Sequence, residues 1–205
     1  MKTKNKKLTA LLCCAVLVLA LAGCASEKPE DEAKKAEEAV TGLITAVQKV
    51  NVEEAKKYAV LDAETEAGLD DEQTTLFGAL FGKLQYKILS TEAAGDDAYL
   101  VKTEITAINI KPLLSSYIEE SLKAALSEGF NTNKSEEEMI QIAEQKFTEI
   151  LNRDNLETIT NTVDIKVIKE NNVWKVQADE ILANALSGGM VDAAKDLQGA
   201  FGSGE

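Results

Sequence analysis

The chain has no histidine among its 205 residues. That single absence removes Ser-His-Asp and Cys-His catalysis, the usual imidazole general base and most zinc sites. Cysteine is nearly as scarce: Cys13, Cys14 and Cys24 all fall within the first 24 positions. A body without cysteine carries no disulfide, no thiol nucleophile and no thiolate metal site, so its stability rests on its core. Arginine occurs once, as Arg153, and tryptophan once, as Trp174. Lysine and arginine total 22 against 35 acids, a net charge of −13. A surface so short of positive charge suits neither nucleic acid, which is held by neutralising phosphates, nor adhesion of the body to anionic head groups. The expectation is no nucleic-acid partner, no metal and no cofactor. A non-enzymatic role is favoured over an enzyme restricted to carboxylates, lysine, tyrosine and serine.

What is present begins at the N-terminus. Lys2, Lys4, Lys6 and Lys7 precede a nearly all-apolar run over residues 8–20, and small residues follow. This is the layout of a secretory signal peptide. An uncleaved membrane span over 8–25 is the rival, since that stretch is close to the shortest that crosses a bilayer. The small pair Ala22-Gly23 before Cys24 favours cleavage. Leu21-Ala22-Gly23-Cys24 resembles the lipobox of bacterial lipoproteins. The resemblance implies a diacylglyceryl group on the Cys24 thiol and a cut between Gly23 and Cys24. It also implies an address outside the plasma membrane, on the outer face of the cell membrane or on the outer membrane of a two-membrane cell. Two acyl chains hold stably where one is marginal. The expected organisation is a signal peptide over 1–23, a lipidated tether over 24–32, an α+β domain over 33–187 and a flexible Gly-rich tail over 188–205. Cutting before Cys24 leaves 182 residues, enough for one well-cored domain, and takes four lysines away, so −13 becomes −17.

Within the body, Ala33, Ala36, Val40, Leu43, Ile44, Val47 and Val50 recur at helical spacing. Asn51 ends this helix and caps a second over 52–60, with Glu53 and Glu54 in its first turn. Residues 61–71 read as an acidic loop, and 74–81 as a short helix closing at Gly82. The period then becomes two. Leu84, Tyr86 and Ile88, then Tyr99, Val101, Thr103 and Ile105, flank the turn signal Gly95-Asp96-Asp97, which predicts a hairpin over 83–92 and 98–110. The apolar phase shifts at Ile108 and Ile110, as a bulge or strong twist would require. Pro112 opens a helix with Leu113, Tyr117, Leu122, Ala125 and Leu126 on one side, ending at Gly129. Ser135 and Glu138 form a capping box for the next, whose stripe is Met139, Ile142, Ala143, Phe147 and Ile150. A second hairpin follows: Ile159, Val163, Ile165 and Val167, the turn Glu170-Asn171-Asn172, and the return Val173-Trp174-Lys175-Val176. A last helical turn over 179–186 is broken by Ser187-Gly188-Gly189. The expected fold class is α+β: N-terminal helices packed on a curved antiparallel sheet of about four strands, in two hairpins, with a two-helix insertion between them.

The opening helical pair over 33–60, the closing 163–186 and the segment Lys169-Glu170-Asn171-Asn172-Val173-Trp174-Lys175-Val176 resemble small exported lipoproteins of the nuclear transport factor 2-like (cystatin-like) superfold. In those families a polar turn precedes Trp-Lys-Val or Trp-Lys-Ile in the last hairpin. The resemblance implies a cone-shaped sheet under helices. Two features depart from it: about 45 residues of helix interrupt the strands, and only four strands are countable. The superfold hosts enzymes, ligand binders and interaction modules, so it does not decide function.

The candidate cleft residues are Trp174, Tyr86, Tyr99 and Arg153. Trp174 lines a ligand cleft or belongs to the core, and the core is favoured. Tyr86 and Tyr99 are read as cross-strand partners on the first hairpin. Arg153 clamps a carboxylate ligand or makes a structural salt bridge, the latter favoured. The clusters Asp70, Asp71, Glu72 and Asp96, Asp97 lack the alternating ligands and glycine turn of a calcium loop and read as solvated. Glu136-Glu137-Glu138 suits a helix N-terminus. The functional expectation is a lipid-anchored module that binds a small molecule, a peptide or an envelope protein. A pocket under the sheet would favour a ligand, and a filled core with an exposed apolar patch a protein partner. Converging carboxylates of raised pKa would favour an enzyme, and the absence of any pocket a structural spacer.

Overall fold

A computed structural model describes residues 29–60, 69–127 and 135–201. The chain divides into two compact units, Met1–Glu32 and Ala33–Glu205. Of the first unit only positions 29–32 are described, as the opening turn of a helix. The leader, Gly23, Cys24 and most of the tether lie outside the described residues, as do Gly129 and most of the 61–71 loop.

Helix α1 (Pro29–Gln48) begins at a proline whose missing N–H would find no partner there in any case, and carries Glu30, Asp31 and Glu32 at its positive end. Its inner face is Ala36, Ala39, Val40, Leu43, Ile44 and Ala46. Val40, Leu43 and Ile44 each gain roughly 1.5–3 kcal/mol from burial. The alanines between them let the helix lie close to the sheet. Asn51 accepts from the Glu54 N–H at 2.9 Å and caps helix α2 (Val52–Tyr58), as its position between the two stripes implied. The Tyr58 ring folds back onto Gly42, where any Cβ would sit 2.5 Å from it.

Helix α2 stops two residues earlier than its periodicity predicts. Ala59 and Val60 are extended and form strand β1, parallel to the last strand of the sheet. This corrects the strand count: the sheet has five strands and is mixed, in the order β1-β5-β4-β3-β2. A two-residue strand has no period of its own; only its long-range partners Val176 and Gln177 define it. The others are β2 (Gln85–Ala93), β3 (Ala98–Ile108), β4 (Thr158–Glu170) and β5 (Val173–Gln177). The two hairpins form as expected. The second turns on Asn171 and Asn172, both at positive φ, which asparagine tolerates better than most residues.

One face of the sheet is buried: Tyr99, Val101, Thr103 and Ile105 on β3, Val163, Ile165 and Val167 on β4, Trp174 and Val176 on β5. With α1, α2 and helix α6 (Glu180–Leu186) they make the main core. The buried Thr103 hydroxyl donates to the Val101 carbonyl at 3.2 Å. The other face is polar, with a Thr106–Thr160 hydroxyl pair at 2.7 Å. The ladder irregularity lies on edge strand β2, between Ile88 and Ser90, where Leu89 is left exposed. It does not lie near Ile108, for β3 pairs with β4 without interruption to its end. Ala107 keeps the phase of the main core, and Ile108 breaks the burial alternation because a second core begins there.

That second core joins the end of β3 to helices α3 (Asp71–Phe81), α4 (Ile110–Ser127), α5 (Glu136–Leu151) and α7 (Met190–Phe201). Its centre is Leu80, Ile108, Ile110, Leu113, Ile150, Leu151 and Ala193, and Phe81 packs against both cores. Helix α3 starts three residues before the predicted position because Asp70 and Gln73 form a capping box. The Ser135–Glu138 box of α5 is present as read. Residues 188–205, expected as a flexible tail, hold α7 over Met190–Phe201. Its Ala193 is buried, Asp196 pairs with Lys111 at 2.8 Å, and Asp192 accepts from the Asn184 amide at 2.8 Å. Gly188 (φ +65°) makes the turn into it. A Cβ there would lie 1.7 Å from the Ile108 carbonyl oxygen, and the Gly188 carbonyl accepts from the Ile110 N–H at 3.0 Å.

Candidate functional site

Two of the four sequence candidates meet. Trp174, 6% exposed, packs edge-on against Tyr99 with ring centroids 5.2 Å apart and planes at 68°. Lys169 lies over the indole at 5.5 Å. The Tyr99–Trp174 ring pair adds about 0.5–1.5 kcal/mol beyond burial. Both residues pack inside the main core. Tyr86 stands elsewhere: it faces Ile105, whereas Tyr99 faces Ala93 and Val167. The expected pairing of Tyr86 with Tyr99 is therefore absent; seven strand residues, roughly 23 Å, separate the two positions along β2. The turn over 94–97 places Tyr99 at the closed end of the hairpin, opposite Ala93, and Tyr86 near its open end.

Arg153 follows α5 and donates to Glu120 on α4 at 2.8 Å. Lys146 lies 3.5 Å from the same carboxylate and 3.1 Å from Glu149. The hydrogen bond from Arg153, with a smaller contribution from Lys146, holds the Glu120 carboxyl below its ordinary range. The salt-bridge reading of Arg153 fits this geometry. The network is solvent-facing and contributes modestly to stability.

A groove opens where none of the four candidates lies. It runs between α3 and α5 with α4 beneath, and encloses about 1130 Å³. Leu76, Leu114, Tyr117 and Phe147 form its apolar floor, Tyr117 and Phe147 packing edge-on at 5.5 Å. Four carboxylates, Asp70, Asp71, Glu144 and Glu149, stand on its walls, and among the described residues no lysine or arginine lines it. Glu149 is paired with Lys146, and one oxygen of Asp70 accepts from the Gln73 N–H at 2.7 Å. Among the described residues, Asp71 and Glu144 have no ion-pair partner. The sequence marked Asp70 and Asp71 only as a solvated cluster, and Ala143 and Phe147 only as a helix stripe. The Asp-x-x-Gln capping signal ahead of Leu76 was the available clue that α3 begins at this point. That α3 lies across α5 is a tertiary fact without a local signature.

Beyond the groove the α4–α5 pair displays large apolar side chains: Ile118, Leu122, Leu126, Met139 and Ile142 are each 45–59% exposed. Among the described residues, no helix is long and apolar enough to cross a membrane, and no three metal-ligating side chains converge.

No family model matches the chain, and no curated protein matches it. Among solved structures, the chain is similar to a candidate lipoprotein (ycdA) from Bacillus subtilis subsp. subtilis str. 168, at 19% identity and a TM-score of 0.42. The match covers 77% of this chain and 46% of that one, so the chain spans less than half the length of that protein.

Proposed function

We propose that the chain is an exported, lipid-anchored binding module without catalytic activity, which engages a partner through the groove between α3 and α5. The anchor rests on the basic-then-apolar leader and Leu21-Ala22-Gly23-Cys24. The observation that carries the binding role is where apolar surface stays open. The underside of the sheet is filled by Trp174, Tyr99 and their neighbours, while the inserted helices keep an apolar-floored groove and exposed Ile118, Leu122 and Met139. A filled core beside an exposed apolar surface fits a protein partner better than a small ligand. The resemblance of the closing hairpin to nuclear transport factor 2-like families agrees with a scaffold role for the sheet. An enzyme is less well supported: the displaced carboxylates Glu54 and Glu120 are lowered by hydrogen bonds from Lys57 and Arg153, opposite to the shift a general acid needs.

Two measurements test this. Intact mass and metabolic labelling with an alkynyl fatty acid should place a diacylglyceryl group on a mature chain beginning at Cys24, and Cys24→Ser should abolish labelling and membrane pelleting. A photo-crosslinking amino acid at Gln145 in the groove should give a discrete adduct in cells, and one at Lys166 on the polar sheet face should not. Equal adducts from both positions, or none, would remove the groove from the proposal.

A further inference from the structure

We infer that the occupant of the α3–α5 groove is a basic amphipathic helix of a partner polypeptide; this rests on the groove being the binding site. The argument is complementarity of charge, polarity and length. The floor is apolar, so the occupant presents an apolar stripe. Among the described residues the walls carry four carboxylates and no cation, and Asp71 and Glu144 stand without an ion pair on opposite walls. An acidic or neutral occupant would cover these carboxylates uncompensated, whereas lysines flanking the stripe would reach them from either side. Of the four, Glu149 is already paired with Lys146, which also lies 3.5 Å from Glu120, so Asp71 and Glu144 are the carboxylates left for an occupant. Length favours a helix. The wall from Gln141 to Asn152, the C-cap of α5, is eleven helical rises long, about 16 Å, or three helical turns. Anchors at i, i+3, i+4 and i+7 would lie along the floor, the familiar helix-in-groove mode.

The test uses the full-length chain in a non-ionic detergent and a fluorescein-labelled 14-residue peptide with leucine at i, i+3, i+4 and i+7 and lysine at the flanks. Its control keeps the leucines and replaces lysine by glutamate. Fluorescence polarisation should show the lysine peptide binding at least tenfold more tightly than the glutamate peptide, with affinity falling as salt rises. Gln141→Lys/Glu144→Lys, two exposed mid-helix changes that leave both capping boxes intact, should weaken the lysine peptide at least tenfold. The same variant should leave Trp174 emission and the melting temperature within error, and comparison in one detergent cancels partition into micelles. Equal affinity for the two peptides, insensitivity to the double variant, or no binding of either peptide would overturn the inference. The crosslink from Gln145 separates the two failures. An adduct there with no charge preference leaves the groove standing and removes the basic helix; no adduct removes both.

Discussion

Replacing Gly188 by alanine should be among the most damaging single-methyl changes in the protein. Three effects combine. An L-residue at φ +65° costs about 1 kcal/mol relative to glycine. The new Cβ would lie 1.7 Å from the Ile108 carbonyl oxygen, which is backbone and cannot swing aside. The end of β3 must therefore move by more than 1 Å (close carbon–oxygen contacts are about 3.3–3.6 Å), and the Ile110–Gly188 hydrogen bond, worth about 1 kcal/mol net, is lost. Ile108 and Ile110, 2% and 1% exposed, move with it, and their disturbed packing adds roughly 1–2 kcal/mol. The sum is about 3–4 kcal/mol, a large share of the 5–15 kcal/mol typical of a domain. Gly189 provides the control: its φ is +91°, but nothing lies within 4 Å of its Cβ position. Gly189→Ala should carry only the conformational penalty, about 1 kcal/mol. Urea unfolding of the full-length chain, followed by the emission of the single tryptophan, reads the difference. With m near 2 kcal/mol/M, Gly188→Ala should lower the midpoint by about 1.5–2 M and Gly189→Ala by about 0.5 M. Equal midpoints for the two variants would show that the close approach to Ile108 is not what this turn depends on.

Other positions give further tests. Gly42→Ala should destabilise although alanine gains about 1 kcal/mol of helix propensity, because the new methyl meets the Tyr58 ring; in a Tyr58→Ala background the same change should become stabilising. Ile44→Ala in the main core should lose about 2–5 kcal/mol, whereas Ile181→Ala, at a side chain 68% exposed, should stay within about 0.5 kcal/mol, both read by urea midpoint. Arg153→Gln should return the Glu120 carboxyl toward its ordinary pKa, visible in a carbon-detected NMR titration. The Glu120 carboxyl is depressed in the folded state, so its stabilising effect is present above the unfolded pKa and is lost as pH falls through the folded one. The stability difference between Arg153→Gln and the parent should therefore be seen at neutral pH and vanish in acid, and a gap that persists in acid would mean the arginine acts otherwise.

Local periodicity carried most of the architecture. The α1 stripe from Ala36 to Ile44, the Asn51 cap, the Ser135–Glu138 box and both hairpins are short-range signals, each set by a few adjacent residues, and the structure shows them all. What escaped depends on partners far along the chain. Ala59 and Val60 become a strand only because β5 lies beside them. The pairing of Tyr86 with Ile105 is fixed by a bulge that alternation cannot locate. Helix α7 is glycine-flanked and weak in isolation, and burial of Ala193 in the second core, which also holds Ile110 and Leu113, makes it part of the fold. The candidate cleft was sought around the lone aromatic and the lone arginine because rare residues attract notice. Trp174 is needed to fill a core and Arg153 to pair with Glu120, and the open surface is built from commonplace leucine, phenylalanine and aspartate.

The bulge in β2 has a bearing beyond register. That strand is the outer boundary of the sheet, and its free backbone amides would otherwise offer a template to a neighbouring molecule. The extra residue at Leu89 disrupts the regular spacing of those amides, and exposed Lys87 and Glu92 put charge on either side of it. Molecules packed side by side at high density in two dimensions would thus be poor seeds for one another's strands, so crowding alone should not drive them into fibrils.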